Sequence, residues 1–237
     1  MKGLCRRAWK VACLMAPWWA SAGHSAELSA TEQRWLQGIQ PVLAYARAAG
    51  LPLDIVVQPQ PTPGNAPLAL AFVDGRCKLV FSMRGNPEAQ ATLDRIEPVL
   101  LDPILELMAA HELGHCRRYR DGNWYGLPAG FVASVPEVVG AELQPAYTDM
   151  QATRREEGYG DLVGLAWTQR RHPQHYAALQ AWLVAERSRE LIPGSHHDTL
   201  AWVRLAGTGV ATADAPGETS IFDAAARLWK VGLAAER

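Results

Sequence analysis

The sequence predicts an α+β fold, mainly helical, with a small antiparallel sheet and one helix that carries the motif His111-Glu112-Leu113-Gly114-His115. Three observations lead there. Apolar residues recur at helical spacing in several long stretches between Leu28 and Ala235. Two short β-rich runs, Leu68 to Val73 and Cys77 to Met83, flank Asp74-Gly75-Arg76, which is the composition of a hairpin. Asp102-Pro103, a good N-cap and N1 pair, opens the helical stretch that reaches the motif.

Residues 1–22 read as a cleavable secretory signal, with the cut after Ala22 or after Ala26. Lys2, Arg6, Arg7 and Lys10 precede the apolar stretch Val11 to Ala20, and Ala20-Ser21-Ala22 supplies the small residues. That stretch is shorter than the ~20 residues a spanning helix needs, and Pro17 interrupts it, so no stable membrane span is expected. Removing four basic residues and no acid takes the formal net charge from −1 to −5, which leaves no basic footprint for nucleic acid. Cleavage also removes Cys5 and Cys13, leaving Cys77 and Cys116 in a chain bound for the periplasm or the exterior. These two form either one disulfide or two buried thiols. With 49% apolar residues in the whole sequence, 23–237 holds enough material for one packed core and is expected to be a single domain.

From Leu28 to Ala49, Leu28, Trp35, Ile39, Leu43 and Ala46 mark one helix that Ser29 or Thr31 can cap and Pro41 can kink. Leu53 to Gln58 reads as a short strand, Pro59 to Asn65 as a turn-rich connection, and the hairpin follows. Helix resumes after Gly85-Asn86-Pro87, and Pro98 and Pro103 divide it. The motif helix should run from Pro103 to Tyr119 or Arg120 and stop near Asp121-Gly122-Asn123. Trp124 to Met150 shows no clear period and reads as a long excursion packed near the motif. Helices are expected again at Thr153 to Arg170, Gln174 to Glu190, Thr199 to Ala206 and Ile221 to Ala235.

Positions four apart lie on one helical face, so His111 and His115 can present their imidazoles to one ion with Glu112 beside them. The chemistry this suits is hydrolysis: zinc lowers the pKa of a water toward about 7, and a carboxylate takes its proton and later hands it to the leaving amine. Such a site needs a third protein ligand and one open position. Glu157 and Asp161, again four apart, are the strongest candidates: Glu157 reaches the metal and Asp161 accepts a hydrogen bond from a ligand histidine's other ring nitrogen. Glu156 is the rival ligand. Gly158, Gly160 and Gly164 each weaken a helix by about 1 kcal/mol, so they are read as places where this helix approaches the motif helix closely. Arg154, Arg155, Arg170 and Arg171 read as solvated helix faces, and Trp167, Trp182, Trp202 and Trp229 as core or groove aromatics.

HELGH followed by a helix with Glu157-x-x-x-Asp161 resembles the gluzincin peptidases related to HtpX and the CAAX prenyl proteases, on two motifs spanning roughly a tenth of the chain. The resemblance implies a zincin-like metallopeptidase domain with Glu157 as third zinc ligand and Asp161 as its supporting partner. It also implies that the hairpin supplies an edge strand along which an extended peptide binds. In Gly194-Ser195-His196-His197-Asp198 it gives His197 a candidate role in hydrogen-bonding the tetrahedral intermediate. The plainer reading of that loop is a pair of exposed histidines with Asp198 capping the next helix.

The function expected is that of a zinc-dependent endopeptidase of the cell envelope, acting on a protein or peptide with Glu112 as general base. The alternative keeps the metal and drops the turnover: a catalytically silent, zinc-stabilised binding or chaperone module in which residues 124–150 cover the open coordination position.

Overall fold

Ser29 starts the first helix in the computed structural model, which describes residues 27–59, 66–133, 136, 138–189, 192–208 and 220–236. The expected signal segment lies outside the described residues. Ser29 accepts the Glu32 amide and Glu32 reaches back to the Ser29 amide, a reciprocal capping box. One expected helix is two: α1 (Ala30–Gly38) and α2 (Gln40–Ala48) meet at the buried Ile39. Pro41 sits at the start of α2, where it has no interior hydrogen bond to break.

Three strands follow, β1 (Leu53–Pro59), β2 (Leu68–Val73) and β3 (Arg76–Arg84), in the order β1-β3-β2. The hairpin is present, with β2 antiparallel to β3. Asp74 and Gly75 both take positive φ, 52° and 73°, as a two-residue hairpin turn requires. The expectation of an antiparallel sheet is corrected, because β1 pairs parallel to β3, Leu53 against Cys77 through Val57 against Phe81. β3 takes the centre, as the longest of the three, with Cys77, Leu79, Phe81 and Met83 buried. A hairpin turn dictates the direction of its own pair; the direction of β1 depends on the path of the longer connection.

After α3 (Pro87–Asp94), a 3-10 turn at Pro98–Leu100 runs straight into α4 (Leu101–Arg120), which carries the motif. Asp102 is therefore not the N-cap; it lies in the first turn and pairs with Arg34 of α1 at 2.7 Å. The fifth helix, α5 (Gln144–Arg171), starts nine residues before the expected Thr153. Its opening turns are mostly exposed from Gln144 to Asp149, so no apolar stripe announces them. A 3-10 turn at Pro173–His175, then α6 (Tyr176–Arg189), α7 (Leu200–Ala206) and α8 (Ile221–Ala235) complete the order. α5 packs against α4, α6, α7 and α8. One hydrophobic cluster joins residues from Trp35 to Leu233, with Trp167, Trp202 and Trp229 inside it. Arg154 and Arg155 are not solvated as expected: both side chains are largely covered and pair with Glu236. Among the described residues no helix is long and apolar enough to cross a membrane.

Cys77 of β3 and Cys116 of α4 form a disulfide, their Cα atoms 5.6 Å apart. It ties the sheet to the motif helix one residue past His115. Cross-linking residues 39 positions apart restricts the unfolded chain by about 4 kcal/mol in the chain-entropy account. Unfolding in denaturant is expected to show a loss of that size in the double variant Cys77→Ala/Cys116→Ala; a loss under about 1 kcal/mol would contradict it.

Candidate metal centre

α4 presents His111 and His115 one turn apart on a buried face, 8% and 6% exposed. Gly160 of α5 lies directly beneath the His111 ring: a Cβ built there would stand 2.8 to 2.9 Å from three of its atoms. Gly164 meets α4 in the same way, its Cβ position lying 2.9 Å from the Leu107 carbonyl oxygen. These two glycines set the close approach of α5 to α4 expected for all three. Gly158 differs, since it faces the Trp202 ring of α7.

The approach brings Glu157 over the histidines. His111 Nε2 and His115 Nε2 lie 2.9 Å apart, and each is 3.4 Å from a Glu157 carboxylate oxygen. Four ligands about 2.0–2.1 Å from a tetrahedral ion stand about 3.3 Å from one another, so these atoms already span one face of such a shell. His111, His115 and Glu157 are the group that could hold a metal ion among the described residues. Glu156 points elsewhere. It accepts Arg118 Nε at 2.9 Å, Arg118 Nη2 at 2.8 Å and the Tyr125 amide at 3.0 Å.

Asp161 closes the second layer. His111 Nδ1 lies 3.0 Å from Asp161 Oδ1, which orients the ring and leaves Nε2 facing His115 and Glu157. Arg187 of α6 donates to both Asp161 oxygens, at 2.9 and 2.6 Å, and Thr199 donates to Oδ2 at 2.5 Å. Burial alone would raise the Asp161 carboxyl, but the Arg187 charge and the His111 hydrogen bond hold it well below the ordinary range. The same balance lowers Glu157 against its own burial, through His111 and His115. His111 is raised above its ordinary value, burial being outweighed by Asp161 and Glu157.

Glu112 is near enough to feel the charges of His111, His115, Glu157 and Arg187, and its carboxylate makes no hydrogen bond or ion pair among the described residues. Burial raises its carboxyl, and the neighbouring histidines and Arg187 pull against that. Three carboxyl groups, Glu112, Glu157 and Asp161, surround the two imidazoles with a single guanidinium, that of Arg187, among them, so acidic groups are in excess. Two imidazole nitrogens and a carboxylate would suit a divalent cation such as zinc, which would offset that excess. The residues therefore fit the metal.

No family model, curated protein or solved structure matches this chain.

His197 sits outside this cluster. It lies on the exposed loop before α7 with its ring 4.1 Å from that of His196, and the nearby Arg187 charge adds to partial burial in lowering its pKa. Asp198 does not cap α7, as it accepts the Gly194 amide at 2.8 Å within the loop. Arg187, Thr199 and Trp124 are centre residues that sequence reasoning did not reach. Trp124 meets the His115 ring edge-on at 5.4 Å. Tyr119 alone carried a signal, standing four residues past His115 on the same helix.

Proposed function

We propose that the protein is a zinc-dependent endopeptidase of the periplasm or cell exterior. The observation that carries this reading is the grouping of His111 Nε2, His115 Nε2 and the Glu157 carboxylate, with Glu112 close enough to feel the charges of all three. Held there, zinc would supply Lewis acidity, polarising a peptide carbonyl and acidifying a water. Glu112 is the general base that takes the proton of that water and the acid that returns it to the departing amine. Asp161 holds His111 in the tautomer that offers Nε2, and Arg187 with Thr199 holds Asp161. His197 is assigned the contact to the developing negative charge on the carbonyl oxygen, from a loop tied to α5 by Arg154 and Gln151.

The resemblance of HELGH and Glu157-x-x-x-Asp161 to gluzincin peptidases supports the same chemistry. The basic-then-apolar leader and the Cys77–Cys116 disulfide support an oxidising compartment. The second reading, a zinc-stabilised module without turnover, draws on Trp124, the first residue of the 124–150 segment, whose ring meets His115 edge-on.

The test uses the purified mature chain. Elemental analysis is expected to find one zinc per chain, unstructured casein to be cut, chelation to stop cutting and added zinc to restore it. One zinc per chain with no cleavage of casein or of an envelope protein extract favours the silent module. No zinc at all defeats both readings.

A further inference from the structure

Tyr119 continues the face of α4 that bears His111 and His115, one turn further on. Its ring is stacked against two others, Phe72 of β2 at 5.2 Å and Trp124 at 3.9 Å, with planes within 12°. Trp124 in turn lies 5.1 Å from Tyr125 and meets His115 edge-on. A continuous row of rings thus runs from β2 to a residue of the candidate metal centre. None of the four is buried; Phe72, Tyr119 and Trp124 are half-covered and Tyr125 is 41% exposed.

The row is held in place. Tyr125 has φ 62°, a left-handed backbone that a bulky side chain rarely adopts. Glu156 fixes it by accepting the Tyr125 amide at 3.0 Å, and the Tyr125 hydroxyl bonds Thr153 at 2.8 Å. Strained backbone of this kind, beside a candidate reaction centre, points to a use for the side chain it positions.

Because Tyr119 is stacked against both Phe72 and Trp124, much of the ring-face area along the row is taken up and ring edges are offered beside it. Ring edges carry partial positive charge and attract the π-face of another ring, and their carbon surface suits long aliphatic chains. Beside the row, the outer edge of β2 has no strand partner among the described residues. Such an edge can hydrogen-bond an extended peptide and hold its side chains in alternation. The row ends at His115, so a side chain resting on it belongs to a residue next to the bond presented to the centre.

Building on the peptidase reading, we propose that Phe72, Tyr119, Trp124 and Tyr125 form a substrate subsite. It takes an aromatic or long apolar side chain beside the bond to be cut, and Trp124 sets that preference.

The experiment digests a mixed peptide library with the zinc-loaded mature chain and locates the cuts by mass spectrometry. Matched peptides with Phe or Ala at the selected position then give kcat/KM. Cuts are expected beside Phe, Tyr, Trp and Leu, with Phe favoured over Ala by about tenfold or more, the discrimination an apolar pocket supplies. Trp124→Ala is expected to collapse that ratio, with zinc content measured on the same sample. Phe72→Ala, two rings further from His115, reads the same ratio if Trp124→Ala loses metal or does not fold. Cleavage without an apolar preference, or a ratio unchanged in these variants, overturns the subsite and leaves the peptidase reading standing. No cleavage of any peptide by the zinc-loaded wild type overturns that reading, and the subsite with it.

Discussion

Glu112→Gln is expected to keep zinc at one per chain and to lower kcat by about 10⁴, the upper end of what general acid-base groups contribute. The upper end applies because one carboxylate serves twice, taking a proton from water and delivering it to the amine. Glutamine keeps the size and the polarity of the side chain and can do neither. Zinc should stay because Glu112 is no part of the His111, His115 and Glu157 group. The substitution also removes one of three carboxylates from a centre with a single guanidinium, which relieves crowding of like charge. A steady-state assay with metal analysis of the same sample separates the possibilities. A variant that retains more than a tenth of wild-type kcat removes Glu112 from the chemistry, whereas a variant that loses zinc makes it a ligand.

The second large effect is a contrast between neighbours. Glu157→Ala should lose the metal while remaining folded, because it takes away the carboxylate that both His111 and His115 approach at 3.4 Å. Glu156→Ala should do the reverse. Glu156 is 1% exposed and pairs with an Arg118 side chain that is 12% exposed, so its loss leaves a covered guanidinium without a carboxylate, held by the Gly126 carbonyl and the Trp229 ring, and leaves the Tyr125 amide without its acceptor. Breaking a buried pair in this way costs about 3–5 kcal/mol, which a thermal or denaturant melt reads directly, with zinc still bound below the transition. Full zinc occupancy in Glu157→Ala would defeat the ligand assignment. Zinc loss from folded Glu156→Ala would exchange the two roles.

This contrast shows where reading the residues stops. Successive positions on a helix point about 100° apart, and Glu156 and Glu157 have the same chemistry, so the sequence left both open. The packing of α5 decided between them. Gly160 under the His111 ring and Gly164 against the Leu107 carbonyl bring α5 close to α4 with Glu157 beside His111 and His115, whereas Glu156 meets α4 further along, at Arg118. Gly160 and Gly164 were visible as a helix weakness with a packing reason, although nothing in the string revealed that Gly158 faces Trp202 instead.

Features set by local geometry were legible from residue types and spacing alone: the shared face of His111 and His115, a capped start to the first helix at Ser29 or Thr31, the Asp74-Gly75 turn and the apolar face of α8. Each depends on dihedral preferences or helical periodicity over a few residues. The tertiary structure alone decided the parallel pairing of β1, the joining of Cys77 to Cys116, the clamp of Arg187 and Thr199 on Asp161, and the aromatic row beside His115. Those depend on side chains that meet across tens of residues, where the crossing of elements rather than their spacing in sequence determines which groups touch.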